Sequence, residues 1–172
     1  MKRKFVLPLL LLAIIGAYLA GALAPSNAAT VFPPFQSKNI HGEDVTNAIF
    51  AENKLTMVNL WGTFCPPCID EMPDLGNLGR SMPEGTRLVG IVLDVQDRET
   101  LDDALEIVKD AKADFLNILP VSDMNDYLRT VSAVPTTIFV DAKGNVVGEP
   151  IVGSRSEKDY RKELEKALKL VQ

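Results

Sequence analysis

Cys65-Pro66-Pro67-Cys68 constrains this chain more than any other segment. An apolar run, Leu55–Leu60 (LTMVNL), comes just before it and reads as a strand covered on both faces. From Pro66 to about Gly79 the pattern reads as a helix with an early start, interrupted by Pro73. A strand–turn–helix with cysteines at the turn places Cys65 at a helix N-terminus. There the macrodipole and free N–H groups stabilise a thiolate. Cys68 falls one turn inward. An attacking sulfur with a shielded resolving sulfur behind it is the arrangement of a redox dithiol. A purely stapling disulfide is the weaker reading, because a four-residue loop removes only about 2 kcal/mol of unfolded-chain entropy. Half a zinc site is as weak. The chain has two cysteines and one histidine, so a second half is missing and no metal site is expected.

The rest of the body alternates strands and helices. Residues 35–46 read as a small antiparallel hairpin turning at His41-Gly42, which makes His41 a turn residue rather than a ligand or base. Leu88–Leu93 reads as a second buried strand, and Glu99–Lys112 as an amphipathic helix with Leu101, Leu105 and Val108 on one face. Thr136–Val140 and Val146–Ile151 form a second hairpin around the Asp141–Asn145 turn. Ser156–Leu170 closes the chain as a helix, with Ser156 as N-cap and Asp159 at N3. This order predicts an α/β fold with a central mixed β-sheet flanked by helices.

The first residues bear on location. Lys2, Arg3 and Lys4 precede Phe5–Ala24, 20 residues without a charge, long enough as a helix to cross a bilayer core. The basic side stays in the cytoplasm, so the body is expected outside it. Ser26-Asn27-Ala28 offers a cleavage site of the A-x-A kind. Residues 1–28 are therefore either a signal peptide or an uncleaved membrane anchor, and no nearby cysteine allows a lipid anchor. Residues 29–34, with Pro33 and Pro34, read as a linker, and 35–172 as the domain. Without residues 1–28 the formal charge falls from −5 to −8. An acidic body lacks the basic footprint that nucleic acid requires and docks poorly on anionic lipid.

Trp61-Gly62-Thr63-Phe64-Cys65-Pro66-Pro67-Cys68, followed by Glu71-Met72-Pro73, resembles the active-site segment of thioredoxin-fold proteins, most of all the TlpA/ResA-type disulfide reductases. Val134-Pro135-Thr136-Thr137 resembles that family's cis-proline loop. The two motifs lie 70 positions apart, wider than in a minimal thioredoxin and in keeping with this subfamily's central strand-helix insertion. The resemblance implies a thioredoxin-like fold with an N-terminal β-hairpin. It makes Cys65 the nucleophile and Cys68 the resolving thiol. Pro135 would be cis and face them, and the Val134 backbone would be presented to an extended substrate segment. Trp61 would pack beside the site and partly shield it, or simply fill the core. Glu71 would tune the thiols and move protons, or else be a solvated surface residue; Asp70 is expected on the exposed face.

Two positions depart from the pattern. Asn59 stands where thioredoxin has a buried Asp, so Glu71 is left as the nearest candidate for acid–base work. Phe64 stands where relatives often have Trp. The resemblance further implies an enzyme whose only redox group is the Cys65–Cys68 disulfide, with no other cofactor. It implies a monomer that takes electrons from a membrane donor of the CcdA/DsbD type and passes them to client proteins. Apocytochrome c and methionine sulfoxide reductases are the client types it suggests.

Pro66 and Pro67 have no N–H to offer the Cys65 thiolate, which favours a reductant over an oxidant or isomerase. A peroxiredoxin-like peroxidase would need Pro at position 58 and Thr at 62, where the chain has Val58 and Gly62. A binding module that kept the fold without redox work would not need both cysteines.

Overall fold

The computed structural model describes residues 30–171. Its centre is a five-stranded mixed sheet in the order β5-β4-β3-β6-β7, formed by β3 (Leu55–Trp61), β4 (Thr86–Val92), β5 (Leu116–Ile118), β6 (Thr136–Asp141) and β7 (Val146–Val152). β3 pairs in parallel with β4 and antiparallel with β6, so the strand leading into the cysteines is the middle of the sheet. Its alternation explains the two-sided burial. Leu55, Met57 and Trp61 join one core cluster, while Val58 and Leu60 join the other.

Three helices cover the first face: α2 (Pro66–Gly79), α3 (Arg98–Asp110) and α5 (Glu157–Leu168). The second face is covered by the N-terminal segment and two short helices, α1 (Ala48–Ala51) and α4 (Asn125–Leu128). The expected N-terminal hairpin is present as β1 (Gln36–Lys38) paired with β2 (Asp44–Thr46), with His41 exposed in its turn. Gly42 holds a positive φ of 86° there.

Two expectations need correction. The helix after the cysteines is not interrupted at Pro73; α2 runs unbroken to Gly79. Proline removes one N–H bond, but Pro73 lies on the exposed side. The inner face, with Cys68, Met72, Leu75 and Leu78 all buried, holds the helix on the sheet. Residues 30–34 are not a free linker either. Val31 bridges Asn145, the Phe32 N–H donates to Gly144 O at 2.8 Å, and Val146 N–H donates to Thr30 O at 2.7 Å. Phe32 is 2% exposed and meets the rings of Phe35, Phe50 and Tyr127 at centroid distances of 5.0–6.1 Å. Prolines 33 and 34 signal extended backbone, and extended backbone can dock on a sheet as readily as it can span a gap. Phe32→Ala is expected to cost about 3–5 kcal/mol of stability in urea unfolding; a linker residue would cost almost nothing. The apolar run 5–24 and the cleavage site at 26–28 lie outside the described residues.

Candidate active site

The site forms where β3 ends and α2 begins. Cys65 is the N-cap of α2, with extended backbone, and Pro66 and Pro67 occupy the first helical positions. Proline suits those positions because their N–H groups have no helical partner. Cys65 and Cys68 are joined as a disulfide with Cα atoms 5.3 Å apart. Cys68 is fully buried and Cys65 is 5% exposed, so only the Cys65 edge of the bridge reaches the surface. Cys65 Sγ accepts one backbone hydrogen bond, from Cys68 N–H at 3.3 Å. Pro66 and Pro67 stand exposed beside it, and Phe64 is 68% exposed.

The Val134–Pro135 bond is cis. Val134 O lies 3.6 Å from Cys65 Sγ. The disulfide has no S–H, so this is a contact in the oxidised form and becomes a donor–acceptor pair once the thiol forms. The Pro135 carbonyl accepts from Gly153 N–H at 2.8 Å, which ties the loop to the end of β7. The structure thus brings Val134 and Pro135, both expected at the site, next to Cys65.

Upstream of Cys65, Asp94 holds the loop in place. Its carboxylate accepts from Thr63 N–H at 3.0 and 3.1 Å and from Thr63 Oγ1 at 2.6 Å. Sequence reading missed Asp94, which lies 31 positions from its partner. Trp61 is 0% exposed and packs in the same cluster as both cysteines. Its Nε1–H donates to Asn117 Oδ1 at 3.0 Å. The indole is a core residue anchored to β5.

Glu71 is no surface residue. It sits one turn after Cys68 on the inner face of α2 and is 3% exposed, whereas Asp70 is exposed as expected. Its Oε1 accepts from Asn59 Nδ2 at 2.9 Å, and its Oε2 accepts from Tyr160 OH at 2.8 Å and Arg155 N–H at 3.0 Å. Asn59 Nδ2 also donates to Thr137 Oγ1 at 3.1 Å. Asn59 thus serves the acid as a donor, while its own Oδ1 is buried with no hydrogen-bond partner. Burial raises the Glu71 pKa above the ordinary carboxylate value, against the opposing effect of these donors. Burial, and then the Glu71 charge, push the Tyr160 phenol well above its usual range. Tyr160 and Arg155 were missed because nothing local marks a tyrosine on the last helix or a loop N–H as partners of a helix 84–89 positions away.

The chain is similar to known proteins over most of its length. Residues 28–148 match the AhpC/TSA family. The thiol:disulfide interchange protein DsbE of Pseudomonas fluorescens biotype C is 31% identical over 173 residues, covering 95% of this chain and 93% of its own. Sporulation thiol-disulfide oxidoreductase A of Bacillus subtilis strain 168 is 25% identical over 155 residues, with 84% and 87% covered. Among solved structures, a thiol:disulfide interchange protein of the thioredoxin family from Chlorobium tepidum TLS superposes with a TM-score of 0.67 at 27% identity, covering 81% of this chain and 97% of that one. The family match spans most of the body and a solved thioredoxin-family structure superposes on it, so the chain belongs to the AhpC/TSA family of thioredoxin-fold proteins.

Proposed function

We propose that this chain is an extracytoplasmic thiol-disulfide oxidoreductase that reduces disulfides in client proteins. One observation carries the reading: the half-open Cys65–Cys68 bridge at the α2 N-cap faces the Val134 carbonyl of the cis-proline loop. In the reduced state the Cys65 thiolate attacks one sulfur of a client disulfide. The client's other sulfur leaves as a thiolate, and a mixed disulfide forms. The Cys68 thiolate then attacks Cys65 Sγ, frees the second client sulfur and closes the bridge. The Val134 backbone offers an extended client segment a strand-like partner. Glu71, one turn past Cys68, is the group placed to hold or release a proton as Cys68 ionises. The cysteine pair is itself the redox group.

The direction of electron flow follows from the donors around Cys65. A thiolate there receives the Cys68 N–H and the helix dipole, and nothing from positions 66 and 67. A weakly stabilised thiolate makes the dithiol the better reductant. Equilibration with glutathione is expected to give a potential far below the roughly −120 mV of a strong oxidant, near the roughly −270 mV of thioredoxin. A value near −120 mV would instead make the protein an oxidant or isomerase. The peroxidase alternative fares poorly at the site. Positions 58 and 62 hold Val58 and Gly62 rather than the Pro and Thr that such a peroxidase needs.

The location rests on the basic start and the uncharged run 5–24, whether cleaved or retained as an anchor. A reductant outside the cytoplasm needs re-reduction, for which a membrane donor of the CcdA/DsbD type is the proposed source. Apocytochrome c and methionine sulfoxide reductases are the proposed client types.

A further inference from the structure

The helix that carries the dithiol and its neighbour leave an open cleft between them. It encloses about 380 Å³ and is lined by Ile69 and Pro73 of α2 and by Glu106, Ile107, Asp110 and Ala111 of α3. The floor is apolar, and Ile69 is 36% exposed in it. The rim is acidic. Among the described residues neither Glu106 nor Asp110 makes an ion pair. No cation lines the cleft. α2 has no basic residue along its length, and α3 carries five acidic residues against two basic ones. Gly76 sets how near the helices come, since a Cβ there would lie 2.6 Å from the Lys112 carbonyl.

An isolated exposed isoleucine needs no explanation. This one adjoins the reactive centre. Ile69 directly follows Cys68, and its N–H donates to the Cys65 carbonyl at 3.1 Å. Pro73 lies about 6 Å further along the helix. The exposed Phe64, Pro66 and Pro67 carry the apolar surface back to the disulfide. The cleft begins at the residue that follows Cys68, within reach of residues flanking a disulfide held at Cys65.

We infer that the α2–α3 cleft docks the redox partner through a segment that places an apolar side chain and a lysine or arginine next to the partner's disulfide. This rests on the reductase reading above. The apolar side chain seats on Ile69, Pro73 and Ile107, and the cation faces Glu106 and Asp110. The two electrons come from the Cys65–Cys68 dithiol, which closes to the disulfide as the partner's bond opens to two thiols.

The test uses the full chain in detergent, reduced beforehand, and two synthetic peptides that each contain one internal disulfide. One peptide flanks the disulfide with Leu-Lys and the other with Leu-Glu; hydroxyethyl disulfide serves as an uncharged reference. At low salt the wild type is expected to reduce the cationic peptide about tenfold faster than the acidic one, and the ratio should shrink as salt rises. Glu106→Lys with Asp110→Lys is expected to abolish that ratio. Asp123→Lys with Asp126→Lys, on exposed positions at the opposite face of the sheet, changes the net charge equally and is expected to keep it. Equal loss in both double variants would trace the preference to overall charge and overturn the cleft's role. So would a wild type that reduces hydroxyethyl disulfide but shows no preference between peptides. A wild type inert toward all three disulfides overturns the reductase reading, and the cleft's role with it.

Discussion

Cys68→Ser is expected to accumulate a stable covalent adduct with client proteins, while Cys65→Ser forms none and reduces disulfides only at background, a loss of roughly 10³-fold or more. The asymmetry comes from burial. Cys68 is 0% exposed on the inner face of α2, so no outside disulfide reaches it, and Cys65 is the sulfur with an opening. Without Cys68 the mixed disulfide on Cys65 has lost its nearby attacking thiol and waits for a slow external one. Neither variant should fail to fold. The bridge closes a loop only three positions apart, which contributes about 2 kcal/mol through the unfolded chain. Far-UV circular dichroism checks the fold, and non-reducing electrophoresis with mass spectrometry of isolated membranes checks the adducts. Equal adducts from both variants, or none from either, would overturn the assignment of roles.

The cysteines and most strands were legible because each leaves a local mark, whereas the cis-proline loop came only from the family resemblance. β3 is a short apolar run, α2 starts at two prolines, and α5 starts at Ser156, whose Oγ accepts from Asp159 N–H at 3.3 Å. β5 left almost none: three residues, Leu116–Ile118, are too short for a period, and pairing with β4 alone makes them a strand. The short helices α1 and α4 escaped for the same reason. Phe32 was misjudged because the prolines after it describe backbone shape and not contact. Glu71 shows the limit most plainly. Its spacing from Cys68 announced a shared face, but three donors decide whether the acid is buried or solvated. Asn59 comes from β3, Arg155 from the loop after β7 and Tyr160 from α5. Only the folded topology brings them to one carboxylate.

That carboxylate makes the second large effect. Glu71→Ala is expected to cost about 3 kcal/mol or more. It strands the buried Tyr160 OH and one buried N–H of Asn59, at about 1–3 kcal/mol for each buried donor left unpaired, and takes the acceptor from the half-buried Arg155 N–H. Glu71→Gln should cost far less. Its oxygen can keep the Tyr160 and Arg155 bonds, so only the Asn59 contact has to rearrange. The two variants also separate packing from titration. Burial places the Glu71 pKa in the folded protein above its ordinary value of 4.5. Between those two values the folded chain holds a proton that the unfolded chain has released. Stability therefore falls as pH rises through that window, with a slope of at most about 1.4 kcal/mol per pH unit. Glu71→Gln removes the titrating group and should flatten this slope while leaving the fold intact. Urea unfolding of the oxidised protein at several pH values from 4 to 8 measures both effects. A Glu71→Ala variant within about 1 kcal/mol of wild type would mean that the donors find water. An unchanged slope in Glu71→Gln would mean that another group takes up the proton. If Glu71 also serves the thiols, the rate of disulfide reduction in Glu71→Gln loses a pH step over the same window. Tyr160→Phe, which keeps the carboxylate and removes one donor, shifts that step upward without erasing it.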